Sequence, residues 1–92
     1  MISILQTEKE CFVCHTTYGL EEHHCLYGSA NRKQSELHGL KVWLCAEHHR
    51  GNSGVHFNRE LDLSIKRFAQ TEFEKTHTRE DFIRIFGKSY LG

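Results

Sequence analysis

The chain has 92 residues, enough for one small domain and too few to bury a large core. Its 12 basic and 12 acidic side chains cancel, which argues against a strongly basic nucleic-acid binder but leaves room for a local basic face. Four cysteines and eight histidines are a heavy load of metal-ligating groups for this length, and no apolar run approaches a membrane span.

Charge is unevenly placed. Lys9 stands against Glu8, Glu10, Glu21 and Glu22 in the first 28 residues, so the remainder is net positive. Four cysteines in a secreted chain would suggest disulfides. The opening MISILQTEKE does not read as a secretory leader, and Cys-x-x-Cys spacing favours a metal instead.

In chain order, SILQ reads as a short strand. CFVCHTTYG reads as a metal-binding knuckle closed by Gly19. LEEHHCLY is strand-like and ends at Gly28. GSANRKQSELHG is polar and turn-rich, so it reads as a loop with at most one helical turn. LKVWLC, Leu40 to Cys45, is apolar and β-rich, a second strand. AEHHRGNSG reads as one helical turn and then a loop. From Asn58, a plausible N-cap, Leu61, Ile65, Phe68, Ala69 and Phe73 recur on one helical face, running to about Lys75. A second helix follows a Thr78 cap, with Glu80 and Asp81 in its first turn. Phe82, Ile83, Ile85 and Phe86 form its apolar side, and Gly87 its stop. The expectation is a single α+β domain over residues 1–92, a hairpin followed by helices.

The potential ligands sort by spacing. Cys11-x-x-Cys14 brings two sulfurs to one point, and Cys45-x-x-His48 has matching spacing. Together they predict a structural Cys₃His zinc site, a staple for a small core. Cys25 falls outside this pattern and suits the core. His15 adjoins a ligand and is expected at the surface. His77 reads as a solvated junction, and the role of His38 is open.

His23, His24, His49 and His56 remain. If the zinc holds the end of the second strand near the knuckle, His49 faces the first strand. His23 and His49 are then placed to bind a second ion, with His56 brought back by its loop. The adjacent pair would divide its labour: His23 coordinates, and His24 acts as general base on a nearby water. The plainer alternative is two half-buried strand histidines with no shared purpose.

Knuckle cysteines, then EEHH in a strand, LKVWLC, and EHH with a later histidine resemble the HNH endonucleases, whose ββα-metal core grips one catalytic ion. The resemblance implies His23 as metal ligand, His24 as base, His49 and His56 as further ligands, and Cys11, Cys14, Cys45 and His48 as bracing zinc ligands. A narrower resemblance, in EHHCLYGSANRKQSELHGLKVWLCAEHH and the ending FIRIFGKSYL, is to small phage and prophage HNH-like nucleases of the recombinase-dependent Ref type. It implies a bacterial cytoplasmic setting and, as partners, DNA and a recombinase filament or other phage protein.

Two departures stand out. HGLK occupies the place of the family's middle asparagine, and neither Asn31, Asn52 nor Asn58 has the usual spacing. The partner orienting His24 is therefore expected to be a backbone carbonyl. His49 and His56 are seven apart rather than four. The implied chemistry is phosphodiester hydrolysis to a 5′-phosphate and a 3′-hydroxyl. Arg32, Lys33, Lys41 and Arg50 are placed to neutralise DNA phosphates. The catalytic ion is a divalent cation: Mg²⁺, or more suitably for imidazoles Mn²⁺, Ni²⁺ or Zn²⁺. The rival reading is a non-catalytic, zinc-stapled nucleic-acid-binding or phage-assembly module, which needs the Cys₃His set but not the four other histidines.

Overall fold

The computed structural model describes residues 2–92. It is a small α+β fold with the order β1 (Leu20–His24), α1 (Ser29–His38), β2 (Lys41–Cys45), α2 (Ala46–His49), α3 (Arg59–Phe73) and α4 (Arg79–Phe86). β1 and β2 pair antiparallel, with His23 opposite Val42 and His24 opposite Lys41. Among the described residues, no helix is long and apolar enough to cross a membrane.

The connection between the strands corrects the expected loop. Residues 29–38 form a full helix of 10 residues. Its sequence, SANRKQSELH, contains good helix formers but no apolar stripe, so hydrophobic periodicity gives no sign of it. Polar anchors hold it instead. The Ser35 hydroxyl accepts from Leu26 N at 3.1 Å and donates to Leu26 O at 2.6 Å. Asn31 donates to the Phe86 carbonyl at 3.3 Å. Gly39, in the left-handed region at φ 70°, ends the helix and turns the chain into β2.

The expected strand at SILQ is absent. The segment lies beside β2, but side chains replace most ladder bonds. Ile4 N donates to Gly39 O at 3.0 Å, Ser3 Oγ to Lys41 O at 2.6 Å, and Trp43 N to Gln6 Oε1 at 2.8 Å. β1 is also shorter than LEEHHCLY. Cys25 N still bonds Leu40 O at 2.9 Å, but Leu26 turns to Ser35, which ends the pairing.

The C-terminal helices follow the expected caps. Asn58 Oδ1 accepts from Leu61 N at 3.1 Å, and Thr78 and Asp81 form a reciprocal capping box. Ile65, Ala69 and Phe73 of α3, Phe82 and Phe86 of α4, and Leu40, Val42 and Leu44 form one buried core, in which the Phe73 ring lies 5.5 Å from that of Phe82. Fully burying a side chain the size of Phe73 or Phe82 stabilises the fold by roughly 1.5–3 kcal/mol. Phe68 lies at the side, its ring 5.5 Å from Phe12 of the knuckle, and Ile83 is 41% exposed rather than core.

Candidate metal centres

The knuckle forms because the chain turns sharply after Cys14. His15 adopts a left-handed φ of 67°, and its N–H bonds Cys11 O at 2.9 Å. Phe12 N bonds Trp43 O at 2.8 Å, which docks the knuckle on β2. Cys45 closes β2, and His48 lies within the helical turn that follows. Cys11, Cys14, Cys45 and His48 thereby form a cluster that can hold a metal ion, with ligand atoms all within 4.8 Å of one another.

Its geometry fits a tetrahedral ion. Thiolates about 2.3 Å from such an ion lie about 3.8 Å apart, and sulfur and imidazole nitrogen about 3.6 Å apart. Cys14 and Cys45 sulfurs are 3.8 Å apart. His48 Nδ1 is 3.7 Å from Cys11 Sγ and 3.3 Å from Cys45 Sγ. Burial raises the Cys11 pKa, but backbone bonds around Cys14, Cys45 and Val13 outweigh it and bring it to about 6, favouring thiolate. Cys25 differs: it lies in the core, where burial pushes its thiol well up. His15 is exposed and pairs with Glu10 at 2.5 Å, outside the cluster.

The second cluster joins His23 of β1, His49 of α2 and His56 of the following loop, again with ligand nitrogens within 4.8 Å. The seven-residue spacing closes because the loop folds back on α2. Val55 N bonds His48 O at 3.0 Å, and Gly54 lies so close to the helix that an added Cβ would sit 2.8 Å from a His49 backbone atom. Gly54 must therefore remain without a side chain.

His23 is buried, and its Nε2 has no hydrogen-bond partner. Burial, reinforced by His49 and His56, lowers its pKa to about 3, so the ring is neutral and fit to ligate. A buried polar nitrogen left unpaired is destabilising. A metal ion shared with His49 and His56 would satisfy it.

Strand alternation explains the adjacent histidines. Glu21 and His23 point one way, towards α2; Glu22 and His24 point the other, towards α1 and Lys41. His49 Nδ1 lies 2.6 Å from Glu21 Oε1, leaving its Nε2 available to an ion. The His49 ring, with help from Arg50, holds the Glu21 carboxyl below the usual range. Carboxylate partners of this kind orient ligating imidazoles. Glu21→Gln is therefore expected to weaken ion binding at the histidine cluster by about 10–100-fold. Calorimetric metal titration would show this, while the thiol cluster keeps its ion.

His24 Nε2 lies 2.9 Å from Glu36 Oε1 of α1, so this ring pairs with a carboxylate and not with the expected backbone carbonyl. His23, His24, Tyr27, Arg32, His49 and His56 together line an open hollow of about 220 Å³. Tyr27 packs its ring 5.5 Å from His56.

The four basic residues separate. Arg32 and Lys33 are exposed on α1 rather than in a loop; Arg32 lines the hollow, and both line the groove beside it. Arg50 is exposed but paired with Glu21 at 2.5 Å. Lys41 is a correction. Its side chain is only 3% exposed, and its ammonium is held by Glu36 at 2.8 Å and Glu22 at 3.1 Å, so it is not displayed to a phosphate. His77 is exposed at the helix junction and stacks on Phe73 with His38 alongside, which places both in an aromatic cluster away from the hollow.

Sequence reasoning missed Glu21, Glu36 and Tyr27. The period-two alternation with His23 carried a signal for Glu21. Nothing signalled Glu36, because it reaches His24 only once residues 29–38 are a helix. Compared with protein-family models, curated proteins and solved structures, the chain matches none.

Proposed function

We propose that this chain is a metal-dependent DNA endonuclease of the HNH type, with β1, β2 and α2 as a ββα-metal core and α1 inserted between its strands. The observation that carries the reading is the buried, unpartnered His23 Nε2 grouped with His49 and His56 in a hollow that His24 also lines. These histidines share no ligand with the Cys₃His cluster, so they are free to serve a second ion. Zinc is the ion best suited to the latter, because three thiolates and an imidazole in a tetrahedron form a closed structural site.

His23, His49 and His56 would hold the catalytic ion. When bound, a divalent cation supplies Lewis-acid stabilisation of the phosphate and of the departing 3′ oxygen. His24 takes the proton from the attacking water, a task suited to an imidazole near neutral pH. Arg32 meets a phosphate oxygen at the hollow, and Lys33 a neighbouring phosphate along the groove. Contacts of this kind position the strand and carry little sequence preference. The three-imidazole ligand set favours manganese, nickel or zinc over magnesium. In a phage or prophage setting, a recombinase filament would be the partner presenting the DNA.

The test is nicking of supercoiled plasmid by the zinc-loaded protein with a series of divalent ions. Nicked product should appear with manganese or nickel and be absent in chelator. No cleavage with any ion would favour the non-catalytic zinc-stapled module. Reversing Arg32 and Lys33 to Glu should weaken DNA binding and reduce the slope of log affinity against log salt by about 2, roughly 0.9 per lost phosphate contact. Fluorescence anisotropy across a salt series checks this, and an unchanged slope would move the DNA path elsewhere.

A further inference from the structure

Glu36 projects from the helix that interrupts the hairpin, and both of its carboxylate oxygens are occupied. Oε1 lies 2.9 Å from His24 Nε2. Oε2 lies 2.8 Å from the Lys41 ammonium. Lys41 is the cross-strand partner of His24 and is buried, with Glu22 as its second anchor at 3.1 Å. An ionised carboxylate can only accept hydrogen bonds, so a neutral His24 facing it carries its proton on Nε2. The carboxylate cannot swing away without loosening a buried ammonium.

We propose that Glu36 is the positioning residue of the site: it fixes His24 as the Nε2–H tautomer and leaves Nδ1 as the nitrogen that accepts the proton from water. The inference rests on His24 as the general base and deepens that reading. It assigns the orienting role to a residue outside the hairpin, brought in by the polar helix α1. The Glu36 side chain is itself 57% exposed, so its contact with a neutral His24 adds little to stability, and its value lies in orientation.

Two variants test it by different routes. In Glu36→Ala, Lys41 keeps Glu22 and the fold persists, while His24 loses its fixed acceptor and becomes a mixture of tautomers. In Glu36→Gln, Lys41 claims the amide oxygen and the amide NH₂ turns to His24. That NH₂ can only donate, so His24 must accept at Nε2 and carry its proton on Nδ1. The conservative variant is therefore the more damaging one.

Nitrogen-15 NMR of the imidazoles at about pH 8, where an ordinary histidine is neutral, reads the tautomer directly. Single-turnover cleavage with manganese reads its consequence. The expected result is an Nε2–H tautomer in the parent, a mixture in Glu36→Ala and an Nδ1–H tautomer in Glu36→Gln. Cleavage by Glu36→Gln should fall about 10²–10⁴-fold, the range of a lost general base, and below that of Glu36→Ala, with the manganese titration unchanged. Persistence of the Nε2–H tautomer in both variants would overturn the proposal, as would a tautomer switch that leaves cleavage at the parental rate. If the parent fails to cut DNA with every ion tried, the nuclease reading fails, while the NMR result still decides whether Glu36 sets the tautomer.

Discussion

Replacing His24 with alanine is expected to slow cleavage by about 10²–10⁴-fold while leaving ion binding at the histidine cluster nearly unchanged. The ring lies on the α1 side of β1, held by Glu36, and is not one of the three grouped ligands. Its removal takes away a proton acceptor and no ligand, so added metal should not restore the rate. His23→Ala should fail differently. It removes a buried ligand, so the ion binds more weakly and excess metal recovers part of the activity. Metal titration beside single-turnover cleavage separates the two variants. Loss of the ion in His24→Ala with retention in His23→Ala would reverse the assigned roles.

Cys14→Ser should lose the structural ion and with it the fold. A structural zinc site contributes on the order of 10–16 kcal/mol in small peptides, comparable to the whole stability of a domain. Beyond the backbone bond from Phe12 to Trp43, the knuckle has little else to hold it: Cys11 is its one buried apolar residue, and Phe12 packs half-buried against the edge of the core and Phe68. Without the ion, the docking of Cys45 and His48 near the knuckle also loosens, and the histidine cluster depends on that docking. Zinc content by mass spectrometry and thermal unfolding by circular dichroism check the effect. A folded, zinc-free Cys14→Ser protein would show that the cluster is not a staple.

The fold was legible where it is apolar or capped. The Leu61–Phe73 stripe, the Asn58 and Thr78 caps, the Gly87 stop and LKVWLC all carry local signals, and their elements stand where those signals place them. α1 was not legible. Its order comes from Ser35 bonding Leu26 and from Asn31 reaching Phe86, contacts that exist only after the chain has folded. The SILQ segment shows the converse, since its strand-like composition is met by side-chain bonds to β2 instead of a ladder. The thiol cluster could be read from spacing, because Cys-x-x-Cys and Cys-x-x-His impose local geometry, whereas the histidine cluster followed from placing His49 against the first strand and from the resemblance, not from its own spacing. The partners of the imidazoles could not be read. Glu36 and Glu21 are carboxylates among twelve, and only tertiary placement distinguishes them. The same limit misassigned Lys41, whose burial between Glu22 and Glu36 depends on α1.

The central claim is that the histidine cluster is a catalytic metal centre separate from the thiol cluster. Its most direct test is calorimetric titration of the zinc-loaded chain with manganese, with plasmid nicking measured in the same solutions. One further ion should bind per chain, and cleavage should rise over the same concentrations as its binding. Absence of a second ion, or cleavage that ignores its occupancy, would contradict the account.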